Sequence, residues 1–316
     1  TATAACGLLL SSASAQTTAT TDPVGAVSIS IPAGNTPVGI PLVKSPVFEG
    51  TTLAVSEAGG TTTFSFSGVP FEGTSFSSGI YPSHMVQIIS DGTAKGLVLD
   101  IQSNTNSSVV VAGDIKSGFN LGDSVDVSIR PFLTLNDVFS SAEGLTAFVD
   151  TVKFFNDDGS TSSFIWDGQT FRDSSFGDVG TFPIHPGRGL IFFGNSQVDV
   201  TVVGAVPLNE TLAPIYAGVA VNFVSFLNPS GTVAGGEPLT LGSSGIGENL
   251  TAFAGAVKFF STDGNLVSNS SDTYLWDGSV FRDGQFGDAS DVTIPIDSAV
   301  VISNPTEVNI SLPSSL

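Results

Sequence analysis

The residues with the clearest chemical potential lie in a segment that occurs twice. WDGQTFRDSSFGD begins at Trp166 and WDGSVFRDGQFGD begins at Trp276, and nine of the thirteen positions are identical. An indole can stack on the apolar face of a sugar while a neighbouring aspartate accepts hydrogen bonds from the sugar hydroxyls. The candidate ligand-binding residues are therefore Trp166, Asp167 and Arg172 in the first copy and Trp276, Asp277 and Arg282 in the second.

The same segment also has a structural interpretation, which we prefer. An Asp-Gly pair is a strong hairpin signal, so each Trp is expected to end one strand and to face a Phe on the partner strand. Phe171 and Phe176 both recur, as Phe281 and Phe286, and a repeated set of phenylalanines is typical of packing. The segment is thus expected to be a hairpin that the fold uses twice.

The arginines of the segment are two of only four in the chain. We expect each to form an ion pair with a nearby carboxylate, because a guanidinium binds carboxylates through two parallel hydrogen bonds. The expected partners are Asp173 or Asp178 for Arg172, and Asp283 or Asp288 for Arg282. Anion binding is the alternative, and the surrounding negative charge opposes it.

No cofactor is expected from the sequence, with Ca²⁺ as the alternative, because several aspartates in turns could supply oxygen ligands to this ion. These candidate ligands are Asp157, Asp158, Asp178, Asp263 and Asp288. None of the turns has the D-x-D-x-D-G spacing of a known calcium loop, so hairpin turns are the preferred interpretation. His84 and His185 are the only histidines and lack metal-ligand spacing, which argues against zinc.

No catalytic motif stands out from the sequence. A G-x-S-x-G nucleophile motif and the standard phosphate-binding glycine loops do not occur. A glycoside hydrolase needs two carboxylates roughly 5 to 10 Å apart across a cleft, and nothing raises one pair among the 29 acidic residues above the others. We therefore expect a protein that is not an enzyme.

The composition indicates a β-rich chain with few charges. Only 12% of the residues are charged, and the net charge is −20, with nine Lys and Arg against 29 Asp and Glu. This charge repels nucleic acids and anionic membranes, but it is compatible with neutral glycans or cations as partners. Short runs of alternating apolar and polar residues, such as VSISI at 27–31 and VDVTV at 198–202, predict many short strands.

The predicted fold is all-β, with a small barrel-like N-terminal β segment and two duplicated β-sandwich-like modules. The N-terminal domain covers residues 23–130, the first module 131–205 and the second 206–316. The duplication extends beyond the opening motif, because LTAFVDTVKFF at 145–155 returns as LTAFAGAVKFF at 250–260. One short helix is expected to start at Asn136, with that residue as its N-cap.

The first 15 residues resemble the end of a secretory signal peptide. An apolar stretch is followed by Ala13-Ser14-Ala15, an A-x-A cleavage pattern, which predicts cleavage after Ala15. Cys6, the only cysteine, lies within this segment, so the mature chain would have none. No other apolar run is long enough to predict a membrane span, so the protein is expected outside the cell or on its outer surface.

Four segments carry a resemblance: DPVGAVSISIPAG, SIRPFLTLNDVF, the VKFF–WDG–FRD hairpin and IHPGRGLIFF. They resemble an uncharacterised family of secreted β-rich proteins associated with Verrucomicrobia-type bacteria. The part from WDG to PGRG is also similar to a module of many bacterial secreted and surface proteins. The resemblance implies export and a β-rich fold, but no activity. Copy two has Asp297-Ser298-Ala299 in place of the Pro-Gly turn, so its final strand is expected to be built differently.

These features predict an exported, non-catalytic structural or adhesive protein of the cell surface or the extracellular space. Its expected partners are extracellular glycans or other envelope components, and two weak sites on one chain would gain avidity. Self-association through exposed strand edges is a further expectation. The alternatives are a carbohydrate-binding module that uses Trp166 and Trp276, and a secreted glycan hydrolase. Exposure of the two indoles discriminates between the binding and the structural interpretations.

Overall fold

A computed structural model describes residues 23–314, except for residues 78, 91, 219–220, 234 and 261–272. The expected signal segment 1–15, Cys6 and the candidate calcium ligand Asp263 lie outside the described residues. The chain is almost entirely β-structure with two short α-helices, which confirms the all-β prediction.

The strands are numbered along the chain. They are β1 Val24–Ile31, β2 Gly34–Val38, β3 Phe48–Thr51, β4 Ala54–Ala58, β5 Thr61–Ser65, β6 His84–Ile88, β7 Val98–Asn104, β8 Ser108–Ala112, β9 Asp126–Pro131, β10 Leu133–Thr134, β11 Thr151–Phe155, β12 Thr161–Trp166, β13 Phe171–Arg172, β14 Pro183–Ile184, β15 Leu190–Gly194, β16 Val198–Ala205, β17 Thr211–Ile215, β18 Asn222–Val224, β19 Ala256–Lys258, β20 Thr273–Trp276, β21 Phe281–Arg282, β22 Val300–Ser303 and β23 Val308–Leu312. The helices are α1 Ile115–Gly118 and α2 Leu135–Phe139, with a 3-10 helix at Ile246–Asn249.

The N-terminal part forms one seven-stranded antiparallel sheet in the order β3-β9-β6-β7-β8-β5-β4. The sheet curls into a half-barrel, in agreement with the barrel-like prediction. Its core contains Phe48, Phe66, Phe71 and Phe76, whose neighbouring rings meet edge to face with centroids 5.0 to 5.3 Å apart. This arrangement is the one that aromatic quadrupoles favour.

The first repeated module is a sandwich of a five-stranded sheet, β13-β12-β11-β15-β2, and a two-stranded ribbon, β1-β16. One apolar core includes Ile29 and Val200 of the ribbon together with Val152 and Phe192 of the sheet. Strands β1 and β2 thus belong to this module, whereas the predicted N-terminal domain, residues 23–130, includes both of them. The alternating apolar residues of β1 pair with those of β16, and strands β3 to β9 are inserted between β2 and β10.

The second module repeats this arrangement, with a sheet in the order β21-β20-β19-β22-β18 and a ribbon β17-β23. Strand β22 pairs with β19 and β18, as β15 pairs with β11 and β2 in the first module. The expectation that copy two builds its last strands differently is therefore wrong for their pairing. The Pro-Gly turn is not needed because the apolar alternation of β22 and β23 alone fixes which side faces the core.

The predicted short helix is present as α2, but its N-cap is Thr134 and not Asn136. The Thr134 hydroxyl accepts the Asp137 N–H at 3.2 Å, and the Asp137 carboxylate accepts the Thr134 N–H at 2.8 Å. This reciprocal capping box satisfies two N–H groups, whereas a single capping Asn would satisfy one and leave the other to water. In the second module Thr240 and Ser243 form the same reciprocal pair, at 2.8 and 3.1 Å.

Candidate functional site

Each repeated hairpin places its Trp opposite a Phe on the next strand. Trp166 pairs with Phe171 and Trp276 pairs with Phe281 in the antiparallel register, with ring centroids 5.4 and 5.1 Å apart. Trp166 is only 8% exposed and belongs to the core of its module, whereas Trp276 is partly buried at the edge of its core. The first indole therefore offers no face to a ligand, and the second retains an accessible part.

Each hairpin also holds an Asp–Arg ion pair. Asp167 Oδ2 accepts the Arg172 Nε–H at 2.6 Å, and Asp277 accepts from Arg282 at the same distance. The other carboxylate oxygen accepts the backbone N–H groups two and three residues later. These backbone hydrogen bonds, followed by the guanidinium, lower the pKa of both aspartates to about 2. Both carboxylates are thus ionised at neutral pH and tie the turn to the next strand.

The expected partners of the two arginines were therefore wrong. The FRD aspartates, Asp173 and Asp283, accept backbone N–H groups of their own loops at 2.7 to 2.9 Å. The FGD aspartates, Asp178 and Asp288, each accept the backbone N–H two residues later, at 2.8 and 2.9 Å. The arginines instead bind the WDG aspartates, which the four-residue turn brings next to the start of the partner strand.

A pair of exposed phenylalanines stands out next to each hairpin. Phe176 and Phe286 lie at the tips of the loops that the FRD aspartates close, at φ angles of 63° and 64°. Phe148 and Phe253 end the two LTAF segments at φ angles of 61° and 59°, and each donates its backbone N–H to the carbonyl of the WDG Trp at 2.7 Å. The same two places of the fold thus carry a left-handed Phe in both copies.

These four side chains are exposed to solvent. The exposed fractions are 60% for Phe148, 63% for Phe176, 65% for Phe253 and 61% for Phe286. In the first module the rings of Phe148 and Phe176 have centroids 6.5 Å apart, so they form one apolar surface. A bulky side chain in the left-handed region is strained, and such strain is concentrated at functional sites.

Packing is the sequence-based expectation for Phe176 and Phe286, and Phe148 and Phe253 are not among the candidate residues. The expectation is wrong, because only Phe171 and Phe281 of the repeated set are buried. A usable signal was present: in D-x-x-F-G-D the Phe is enclosed by Asp and Gly, which are turn residues, so it cannot alternate with a strand partner.

The candidate calcium ligands do not converge. Asp157 binds Arg188 and accepts the Tyr216 hydroxyl at 2.8 Å, while Asp158 closes its own turn by accepting the Ser160 N–H. Asp178 and Asp288 lie in different modules. Within the described part of the chain, no three His, Cys, Asp or Glu residues are placed to hold a metal ion.

The IHPGRG segment connects three parts of the molecule. His185 Nε2 lies 2.9 Å from Asp100 Oδ1 of the N-terminal sheet. Arg188 binds Asp157 of its own module and lies 3.2 Å from the Tyr216 hydroxyl of the second module. Burial and the hydrogen bond to Asp157 raise the pKa of Tyr216 to about 12. The segment therefore serves as a junction, which explains its presence in only one copy.

Comparisons with known proteins give no assignment. No family model, no curated protein and no solved structure matches the chain. The resemblance to a secreted bacterial family thus stays a prediction. Among the described residues, no helix is both long and apolar enough to cross a membrane.

Proposed function

We propose that the protein is an exported, non-catalytic structural or adhesive component of the cell surface or the extracellular space. In this role its exposed phenylalanine pairs, Phe148 with Phe176 and Phe253 with Phe286, form the contacts. The observation that carries the proposal is that all four side chains are exposed and left-handed at matched positions of both modules.

The energetic cost of these positions supports a binding role. A residue other than Gly or Asn in the left-handed region costs about 1–2 kcal/mol. Exposed Phe rings also reduce solubility and favour association. Neither stability nor solubility therefore accounts for a Phe at four matched loop positions, whereas an apolar contact with another molecule does.

The proposed partner of the pairs is a second copy of the chain. Each chain has two such pairs, so one chain can contact two others, and avidity then compensates for weak single contacts. The net charge of −20 opposes this association at low salt. Salt screens the repulsion without weakening an apolar contact, and we therefore expect the association to become stronger as salt rises.

The duplicated carboxylates also support a role without catalysis. Asp167 and Asp277, with pKa values of about 2, are held as anions by backbone N–H groups and an arginine. A general acid needs a pKa raised towards neutral pH, so these two residues are unsuited to that task. The two WDG aspartates therefore do not support the hydrolase alternative.

Sedimentation velocity at low and high salt tests the proposal. The ionic strength would be raised from about 0.01 M to about 1 M, which shortens the Debye length from about 30 Å to about 3 Å. We expect the wild-type protein to be monomeric at low salt and associated at high salt. The variant with Phe148, Phe176, Phe253 and Phe286 all changed to Asn should stay monomeric, because Asn accepts the left-handed backbone but removes the ring.

The matched control is Ile80→Asn, which removes an exposed apolar side chain from a residue without a positive φ. This variant should associate like the wild type. Wild-type protein that stays monomeric at high salt, or a four-Asn variant that still associates, would refute the proposed contact.

A further inference from the structure

A groove lies beside Trp276 on the second module, and its volume is about 590 Å³. Ligand sites in proteins have volumes of about 300–1,000 Å³, so the groove is large enough for a small ligand or part of a polymer. Its lining includes Trp276, Glu248, Ala252 and Ser279, together with four glycines.

The glycines keep the groove open next to the indole. A β-carbon at Gly247 would lie 2.5 Å from two ring carbons of Trp276, so only a glycine lets the backbone pass this close. Gly245, at a φ of 70°, has no atom within 4 Å of where its β-carbon would be, so it borders open space. The glycine-rich turn thus packs against the indole at Gly247 and borders open space at Gly245.

The first module fills the corresponding place. Helix α2 there contributes Val138 and Phe139, both fully buried, and the Phe139 ring lies 5.4 Å from that of Phe171. The second module has the sequence GSSGIG at 242–247, with a 3-10 helix from Ile246. The smaller residues of copy two explain why Trp276 remains partly accessible whereas Trp166 is buried.

The chemistry of the groove suits a sugar. An indole stacks on the C–H face of a pyranose, and the Glu248 carboxylate and the Ser279 hydroxyl can bind the sugar hydroxyls. Glu248 is the only ionisable residue of the lining, and the net charge of the chain is −20, so an anionic ligand would be repelled.

We infer that this groove is a binding site for an uncharged sugar unit of a polysaccharide, with Trp276 as the stacking platform and Glu248 as the hydroxyl acceptor. In the first module the matching indole, Trp166, is buried, so we assign the site to the second module. It goes beyond the proposed self-association and does not depend on it, because its lining does not include any of the four exposed phenylalanines.

Affinity electrophoresis with three soluble neutral polysaccharides, laminarin, hydroxyethyl cellulose and dextran, tests the inference. At least one should retard the wild-type protein. Ala252→Phe places a bulky ring in the groove from an exposed position and should weaken this binding about tenfold or more, which is about 1.4 kcal/mol. Ala147→Phe makes the same change at the matched exposed position of copy one and should leave the binding within about twofold.

A second readout identifies the indole. In a Trp166→Phe background, Trp276 is the only tryptophan, so its fluorescence should change with the binding polysaccharide. Glu248→Ala should weaken binding while the unfolding midpoint stays unchanged, because Glu248 is exposed. The inference is overturned if no neutral polysaccharide binds, if alginate or chitosan binds instead, or if Ala252→Phe binds like the wild type. Sedimentation of the same variants reports on self-association separately.

Discussion

The two modules support the same turn with different residues. In the first, the buried Asp150 carboxylate accepts the N–H of the LTAF threonine at 2.7 Å, and Gly194 lies opposite. In the second, Gly255 takes the place of Asp150, and Asn304, in the place of Gly194, accepts the matching N–H at 2.8 Å. The hydrogen bond to the threonine N–H is thus retained. Its acceptor comes from the residue before β11 in the first module and from the residue after β22 in the second.

A second exchange conserves volume in the same way. In both modules the residue after the LTL segment donates its backbone N–H across the module at 2.9 Å, from Asn136 to Gly180 and from Gly242 to Ser290. In the first module the donor, Asn136, has the side chain and the acceptor is a glycine. In the second module the donor is a glycine and the acceptor, Ser290, has the side chain. The two modules therefore share the turns that present the exposed phenylalanines and differ in the residues that support those turns.

The largest effect on stability is expected when the residues that support the turn in copy two are placed at the matching positions of copy one. Asp150→Gly leaves a buried N–H without its acceptor, which costs about 1–3 kcal/mol, and adds the flexibility of a glycine. Gly194→Asn alone should also destabilise, because its β-carbon would lie 2.7 Å from the buried Phe192 ring and 3.0 Å from Asp150 Oδ1. The double variant should recover part of the loss, because it restores the acceptor and removes the close contact with Asp150 but not the one with Phe192, and urea unfolding of all four proteins measures the coupling free energy.

The reverse exchange in the second module, Gly255→Asp with Asn304→Gly, is the matched control. It should show coupling of the same sign, because the geometry is mirrored between the modules. If the effects of the two single changes on the free energy of unfolding are additive in either module, the two residues are not coupled through the hydrogen bond to the turn.

A smaller effect of opposite sign is expected at the exposed phenylalanines. Each single change of Phe148, Phe176, Phe253 or Phe286 to Asn should raise the free energy of unfolding by about 1 kcal/mol, because the strain of the left-handed Phe is relieved. Thermal or urea unfolding measures this gain.

The buried Phe171 of the same hairpin is the contrasting position, and its change to Asn should cost about 3–5 kcal/mol. Destabilisation by Asn at the exposed positions would show that those rings support the fold. The strain of the exposed phenylalanines would then no longer support a binding role for them.

Much of the fold could be predicted because the local signals are strong. Alternation of apolar and polar residues located β1, β16 and the strands around residues 86–111, and Asp-Gly marked the hairpin turns. The Trp166–Phe171 cross-strand contact followed from the turn alone. These features depend on residues that are close in the sequence, where a pattern determines geometry directly.

The features that sequence reasoning missed depend on long-range contacts or on competition between equal partners. Pairing of β1 with β16 spans the inserted half-barrel, and nothing local to residues 24–31 identifies that partner. Arg172 had three aspartates within six residues, and only the turn geometry decides that Asp167 is the closest. Exposure of Phe176 was missed because a repeated Phe was assumed to be buried.

The smallest effect concerns a feature that does not differ between the modules. The pKa of Asp167 and of Asp277 is lowered from 3.8 to about 2 by the same hydrogen bonds, so each adds stability that is fully present above pH about 4. This contribution is lost as the pH falls through about 2, because the folded protein then binds the protons that the unfolded chain already holds.

Asp167→Asn and Asp277→Asn should therefore each flatten the fall in the urea midpoint between pH about 4 and about 2, by similar amounts. The double variant should flatten it by the sum, because the two pairs lie in different modules. A response from only one of the two variants would mean that one ion pair differs from the other in solution. The equivalence of the two hairpins would then extend to their strand pairing but not to their electrostatics.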